Sequence, residues 1–376
     1  MLRIVFLCGS LEHGRDGVGD YTRRLACELI KKGHQVALIA LNDQYVKLAF
    51  DGEQSLDNIT IPVLRLPATT KYKLRFEQAG VWMESFNPQW LSLQFVPFSF
   101  NEKGLIFGLG KLLKKFGNGR KWQIMVHELW VGMDKEASKK MVYWGWLQRQ
   151  LIKNLITQLR PTVIHTQSNL YMQMLQKFDL KPLFLPLFAN IPLHLNNTIN
   201  QDVEHGDKHN AISFVVFGGI HHGVSVQTLA QELKEFGITN QKTIKLIMIG
   251  RCGSEQIVWE NSWRSAGLEV EVMGEQSEIR ISNILKNATF GISTTPAFLI
   301  EKSGSVAAML EHGLPVLCIS RAWTPRINAT LKIPKNVLIY QEGKIKDFLN
   351  SDHTFHQVTN ILTVTDQFSN DLLVYG

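Results

Sequence analysis

The sequence predicts an α/β protein made of two doubly wound domains joined by a polar linker. Three observations predict this. Short apolar runs alternate with helix-like stretches in both halves of the chain, as repeated β-α-β units with a parallel sheet require. Three of the runs in the second half end directly on glycine. Between the halves, residues 194–210 are polar and lose apolar periodicity, the mark of an interdomain linker. The length of 376 residues exceeds what one ordinary core supports.

The elements follow in order. Residues 3–8 read as a buried strand, and residues 14–19 as a glycine-rich loop. Residues 21–32 have helical periodicity, with Leu25, Leu29 and Ile30 on one face and Gly33 as the stop. Residues 35–41, 90–95, 122–127 and 162–166 read as further strands. After the linker, residue 212–217 leads into Gly218-Gly219, residue 244–249 into Gly250, and residue 270–273 into Gly274. Strands at 289–293 and 315–319 complete the set. In doubly wound folds, ligands sit at the carboxyl ends of strands, where glycine lets backbone and ligand approach. The boundaries read from this pattern are 1–193 for the first domain, 194–210 for the linker, 211–350 for the second domain and 351–376 for a tail.

Composition excludes several classes. Hydrophobic residues make up 45% and charged residues 19%, which suits a folded protein and argues against disorder. Cys8, Cys27, Cys252 and Cys318 are scattered, with no C-x-x-C pair and no histidine at zinc spacing, so they read as reduced and structural. No apolar stretch has the ~18 residues of a membrane span, and the apolar run at 4–8 is too short for a signal-peptide core. A cytoplasmic protein is the expectation. The net charge is +7, and residues 103–160 alone carry twelve Lys or Arg against three acids. No nucleic-acid-binding motif accompanies this charge. An anionic membrane surface or an anionic acceptor is the expected partner. Within the segment, residues 104–116 set Leu105, Ile106, Leu109, Leu112, Leu113 and Phe116 against Lys111, Lys114 and Lys115. Tyr143, Trp144 and Trp146 lie near Lys139, Lys140 and Arg149. An interfacial helix has this composition; so does a helix that covers a sheet and leaves its lysines in solvent.

The segment richest in chemistry runs from Pro296 to Val316. Glu301 and Lys302 precede Ser303-Gly304-Ser305, a helical run follows, and Gly313-Leu314-Pro315-Val316 closes it. Ser303 and Ser305 are helix N-cap types. A helix N-terminus with unpaired N–H groups and a positive dipole end is an anion site. His127 stands at the end of an apolar strand, where a structural histidine and a functional one are equally expected. His221-His222 reads as no metal pair, because adjacent strand residues point opposite ways. Gly17-x-Gly19, with Asp43 ending the next strand, lacks the third glycine of a dinucleotide fingerprint, Thr22 standing in its place.

Glu301 to Val316 resembles the donor-site helix of the GT-B retaining glycosyltransferases, in particular the large group 4 family. The resemblance extends over most of the chain. It includes Phe6-Leu7-Cys8-Gly9, Gly17-Val18-Gly19-Asp20-Tyr21, Lys32-Gly33-His34-Gln35-Val36, Val126 through Gly132, Phe217-Gly218-Gly219 and Ile249-Gly250-Arg251. It implies two facing Rossmann-like domains with an interdomain cleft, and a tail packed on the first domain. It implies that Glu301 bonds donor-sugar hydroxyls and that the N–H groups of Ser303, Gly304 and Ser305 hold sugar hydroxyls and diphosphate. Gly17 and Gly19 would let the first loop approach phosphates or acceptor, Gly274 would face the nucleobase, and His127 would lie near the transferred sugar. Two places depart from the family. Its second glutamate, eight residues after the first, is Met309 here, with Glu311 two further on. Its Arg and Lys after the first strand of the second domain are replaced by Gly218-Gly219-Ile220-His221-His222.

The expectation is therefore a hexosyltransferase that uses a nucleotide-sugar donor, UDP-linked by preference, and a glycan or lipid-linked acceptor in polysaccharide synthesis. Configuration would be retained. With no metal cluster visible, the helix end and Arg251 or Lys302 would neutralise the leaving diphosphate, so no cofactor or metal is expected. Rival readings are a nucleotide-sugar epimerase of the same architecture and a non-catalytic sugar-nucleotide binding protein. A nicotinamide-dependent oxidoreductase fits less well.

Overall fold

The computed structural model describes residues 1–193, 211–351, 353 and 359–376. The linker expected at 194–210 lies outside the described residues. The chain divides into two compact units. The first is built from Met1–Pro186, Thr324–Thr330 and Asn360–Gly376, the second from Leu187–Trp323 and Leu331–Thr359.

The first unit holds eight strands: β1 (Arg3–Cys8), β2 (Gln35–Asp43), β3 (Phe50–Leu56), β4 (Ile59–Pro67), β5 (Trp90–Phe95), β6 (Lys121–Val126), β7 (Val163–Thr166) and β8 (Leu183–Phe184). They form one sheet in the order β3-β4-β2-β1-β5-β6-β7-β8. Every pairing is parallel except the β3–β4 hairpin. Ile4 to Cys8 are fully buried, as a central parallel strand covered on both faces requires. The order reverses direction between β1 and β5, which creates a switch point there.

The helices of this unit are α1 (Gly17–Lys31), α2 (Tyr72–Phe86), α3 (Pro97–Phe100), α4 (Leu109–Gly117), α5 (Lys139–Leu159) and α6 (Asn169–Gln176). Helix α1 starts one turn earlier than its apolar periodicity predicts. The reason is its cap: the Asp16 carboxylate accepts from the N–H of Val18 at 2.9 Å and of Gly19 at 3.4 Å. In α4, Leu109, Leu113 and Phe116 are buried while Lys111, Lys114 and Lys115 are exposed. Phe116 packs edge-on to Phe76 of α2, and Gly110 lies against Leu155 of α5. The apolar stripe of α4 thus covers the protein, and its lysines form the solvated outer face. Tyr143 and Trp146 of α5 are exposed and stack at 5.7 Å.

The second unit holds β9 (Ala211–Phe217), β10 (Thr243–Ile249), β11 (Glu269–Gly274), β12 (Phe290–Ser293), β13 (Val316–Cys318) and β14 (Val337–Ile339). Its sheet is wholly parallel, in the order β11-β10-β9-β12-β13-β14. Its helices are α7 (Val226–Asn240), α8 (Gln256–Ser265), α9 (Glu278–Asn287), α10 (Gly304–Glu311) and α11 (Ile345–Asn350). Phe214, Trp259, Trp263, Phe290 and Phe348 fill the core on one face of the sheet. Val215, Ile249, Met309 and Val316 belong to a second cluster. The switch point lies between β9 and β12.

The last helix, α12 (Ile361–Tyr375), belongs to the first unit. Its Phe368 is fully buried against Phe6 at 5.7 Å and His165 at 5.9 Å. Lys32 pairs with Asp366, and Gln367 Nε2 donates to the Phe184 carbonyl at 2.6 Å.

Candidate functional site

The second unit brings its candidate residues together at the switch point. After β9 the chain turns through Gly218, whose φ of +81° favours glycine. Side chains added at Gly218 and Gly219 would meet nothing within 4 Å, so the turn leaves space beside it. The next residue but one, His221, reaches the loop after β12. Its N–H donates to Thr294 Oγ1 at 2.8 Å, and its Nδ1 lies 3.2 Å from the same oxygen. The adjoining Thr295 Oγ1 donates to Ser303 Oγ at 3.3 Å. Ser303 caps α10 by accepting from the N–H of Val306 at 3.4 Å, and it bonds Ser305 Oγ at 3.1 Å. The adjacent hydroxyls of Thr294 and Thr295 therefore tie the β12 loop to the β9 turn and to the α10 N-terminus, respectively.

Glu301 and Lys302 end a 3-10 turn, Ala297–Lys302, that leads into this cap; both are half-buried. The Ser303 N–H already donates to Ile300 O at 3.1 Å. Of the three amides implicated by sequence, those of Gly304 and Ser305 are the ones that first-turn geometry leaves without an acceptor inside the helix. A Cβ at Gly304 would meet nothing within 4 Å, so the helix start is open.

The electrostatics add a residue that the sequence did not single out. Burial lowers the His221 pKa from its ordinary value of 6.5, and the positive charges of Lys302 and Arg321 lower it further. Lys302 and Arg321 thus act on one imidazole at the switch point. Arg321 also lies beside Gly223, its Cδ 3.6 Å from where a Cβ would be. A lone arginine soon after a short strand carries no pattern of its own, so only the fold reveals it. The hydroxyl run Ser293-Thr294-Thr295 after a buried strand was a readable signal.

Of the other second-unit candidates, Arg251 and Gly274 stand at the ends of β10 and β11, one and two strands away from β9. Arg251 follows β10 and is ion-paired with Glu275 at 3.3 Å, both exposed. Gly274 ends β11, where its carbonyl accepts from the Gly250 N–H at 2.7 Å. Phe217 is partly buried against the core. Met309 is buried, and Glu311 accepts from the Ala189 N–H at 3.2 Å. His222 is exposed and pairs with Glu255 at 2.5 Å, while His221 bonds Thr294.

Gly17, Gly19 and His127 lie in the first unit. A Cβ at Gly19 would stand 2.5 Å from Ser10 O, so this glycine permits close packing of α1 on the loop after β1. Gly17 has open space beside it. Asp43 is fully buried and accepts from Ser10 Oγ, Leu11 N–H, Tyr45 N–H and Arg65 Nε, so it holds the first loop in place. His127 is 5% exposed. Its Nε2 lies 2.9 Å from Gln94 Oε1, its Nδ1 3.4 Å from Gln167 Nε2, and its ring edge-on to Tyr21 at 5.0 Å. Beyond β6, a cavity of about 380 Å³ is walled by Trp130, Met133, Val142, Trp146, Met174 and Ile327. Arg149, Lys177 and Arg326 line it too. Arg326 already donates to the carbonyls of Asp134, Lys135 and Ala137.

Among the described residues, Cys27, Glu28 and Asp57 form a group with metal-ligand spacing. Lys31 sits inside it, 2.6 Å from Glu28 and 3.5 Å from Asp57, and supplies the neutralising charge. No described helix is long and apolar enough to cross a membrane.

No family model matches the chain, and no curated protein matches it in sequence. Solved structures do resemble it. Anabaena HepE in complex with UDP-glucose matches with a TM-score of 0.63 at 14% identity, over 100% of both chains. The lipopolysaccharide outer core galactosyltransferase WaaB matches at 0.53 and 16%, over 99% of both. A Listeria monocytogenes protein assigned as a UDP-N-acetylglucosamine 2-epimerase matches at 0.59 and 12%, over 99% of this chain and 95% of that one. The fold is the GT-B type, with two Rossmann-like units, shared by glycosyltransferases and epimerases.

Proposed function

We propose that this protein is a nucleotide-sugar-dependent glycosyltransferase, with the donor held by the second unit and the acceptor by the first. The observation that carries the reading is the convergence at the β9–β12 switch point. An open glycine turn, a serine-capped helix start and the Lys302 and Arg321 charges meet there. Breaking the bond between the anomeric carbon and the donor phosphate leaves its electrons on the diphosphate. The acceptor oxygen bonds to the anomeric carbon and gives its proton to the departing diphosphate, which the broken bond leaves with the electron pair to take it. Fixed amides and cations aimed at the diphosphate lower that barrier. In this reading Glu301 accepts hydrogen bonds from donor-sugar hydroxyls, and Arg321 with Lys302 takes the place of the family's Arg and Lys pair. Arg251 is the secondary candidate.

A UDP-linked hexose donor is favoured because the resembling HepE is complexed with UDP-glucose and WaaB is a galactosyltransferase. Retained configuration follows from the family resemblance, and metal-independent transfer from the helix end and the cations that would neutralise the leaving diphosphate. The cavity beside Trp130 and Arg149 suits a glycan stacked on aromatic rings or a lipid-linked anion. A peripheral site on an anionic membrane face would rest on Tyr143 and Trp146 beside Lys139 and Lys140.

Thermal shift against a panel of nucleotides and nucleotide sugars tests the donor site, because a ligand of the folded state stabilises by mass action. UDP and one UDP-sugar should raise the melting temperature, and Lys302→Ala with Arg321→Ala should abolish the shift. No stabilisation by any nucleotide at millimolar concentration would sink the proposal. The likeness to an epimerase keeps a second reading open. Incubating the stabilising sugar nucleotide without acceptor separates them: an epimerase inverts it, and a transferase leaves its configuration unchanged.

A further inference from the structure

The first sheet contains a buried polar line that a parallel sheet covered on both faces should not have. Ser92 and Gln94 interrupt β5, Gln123 interrupts β6 and His165 interrupts β7, all with 0% exposure. Ser92 and Gln123 are direct partners in the β5–β6 register. Buried polar groups cost stability unless each finds a partner. Here each does. Gln94 Nε2 donates to Ser92 Oγ at 2.8 Å, and Ser92 Oγ donates to Gln123 Oε1 at 2.5 Å. Gln123 Nε2 lies 3.1 Å from His165 Nδ1, and His165 Nε2 lies 3.0 Å from Asp371 Oδ2 on α12. At the other end, Gln94 Oε1 stands 2.9 Å from His127 Nε2.

The direction of every bond follows from the two amides. Gln123 Oε1 accepts from Ser92, so Gln123 Nε2 faces His165 and donates to its Nδ1. His165 then carries its proton on Nε2, toward Asp371 Oδ2. Ser92 accepts from Gln94, whose oxygen faces His127. His127 therefore carries its proton on Nε2 and has Nδ1 as its acceptor, toward Gln167 Nε2. Turning the Gln123 amide over would set two acceptors, Oε1 and His165 Nδ1, against each other, and turning the Gln94 amide over would set its Nε2 against the N–H of His127.

We infer that Asp371 is a positioning residue: through His165, Gln123, Ser92 and Gln94 it fixes the His127 proton on Nε2. The C-terminal helix thereby sets the chemistry of a histidine that the family resemblance would place near the transferred sugar. The consequence for turnover rests on that proposal; the tautomer does not.

The test uses the full chain labelled with ¹⁵N-histidine and long-range ¹H–¹⁵N spectra. His127→Asn identifies the His127 signals among the twelve histidines. The wild type should show His127 as a single Nε2–H tautomer. Asp371→Asn removes the obligatory acceptor, and Ser92→Ala cuts the line in its middle. Each should give a mixture of tautomers at His127, with unchanged far-ultraviolet circular dichroism. An unchanged pure tautomer in both variants overturns the inference, because His127 would then be set by its direct contacts and not by Asp371. An Nδ1–H tautomer in the wild type overturns it as well. Transfer assays form the second arm. Each variant should lose about tenfold in kcat with donor KM unchanged, and the double variant no more than either single one, as members of one coupled chain do. Tautomer mixing without any loss of turnover would keep the positioning role and remove His127 from the reaction.

Discussion

Lys302, Arg321 and His221 form a charge set whose balance changes when an anion arrives. In the free protein, burial and the two cations keep the His221 pKa below its ordinary value of 6.5. A bound diphosphate offsets those cations and favours the protonated ring, so the pKa rises on binding. Binding then takes up a proton, and affinity grows as pH falls through the bound-state pKa, levelling off below the free-state pKa. Calorimetric titration of UDP in buffers of different ionisation enthalpy should show that uptake. The His221→Asn variant should lose this part of the pH dependence, leaving the titration of the nucleotide itself; an identical slope in the variant would exclude His221. Glu301→Gln probes the neighbouring group. It should leave UDP affinity near normal and lower transfer on the order of 10², the scale of one lost preorganised contact. Near-normal turnover would remove Glu301 from the site. Arg251, paired with Glu275, should matter less to UDP binding than Arg321, and the two alanine variants compared by calorimetry decide between them.

At the scale of elements, the loop after β1 is held by packing. The α1 helix approaches it so closely that a Cβ at Gly19 would lie 2.5 Å from a backbone oxygen. A backbone atom cannot swing aside, so Gly19→Ala should cost about 1–3 kcal/mol by overpacking. Differential scanning calorimetry should place the loss in a lower melting temperature, and an unchanged melting curve would show that α1 can shift. Gly17→Ala, with open space beside it, should be milder. The same contrast explains what the sequence could reveal. Central strands such as β1 and β9 announce themselves because burial on both faces demands an unbroken apolar run. In the β3–β4 hairpin, Phe50–Leu56 carries no such run, because it is an edge strand held by its partner and not by the core, whereas Ile59–Pro67 is largely apolar and buries Ile61, Val63, Leu64 and Leu66. The Ser303 cap was readable from residue types alone. The role of Arg321 and the polar line through Gln123 and His165 were not, since both depend on strands that meet only after folding.

For the whole molecule, the two units are not two consecutive stretches of chain. The first unit is assembled from three segments, the second of which interrupts the second unit in sequence and the third of which follows it. Residues 324–330 contribute Arg326, which satisfies the carbonyls of Asp134, Lys135 and Ala137. Helix α12 contributes Phe368, whose burial against Phe6 and His165 is complete. A fragment ending at Pro186 lacks both. It would expose the apolar surface under Phe368 and leave His165 without Asp371. Losing one buried aromatic alone costs roughly 3–5 kcal/mol, a large part of the 5–15 kcal/mol that holds a typical domain together. The fragment 1–186 should therefore be poorly folded, with weak near-ultraviolet circular dichroism and rapid amide exchange across β1, β5 and β6. Joining residues 360–376 to Pro186 through a flexible linker should restore most of the protection, because the helix supplies the missing side chains at high effective concentration. Full protection in the unextended fragment would show that the first sheet is stable without its last helix. Restoration that requires residues 324–330 as well would assign the larger share of the stability to Arg326 and the Asp134–Pro325 bridge.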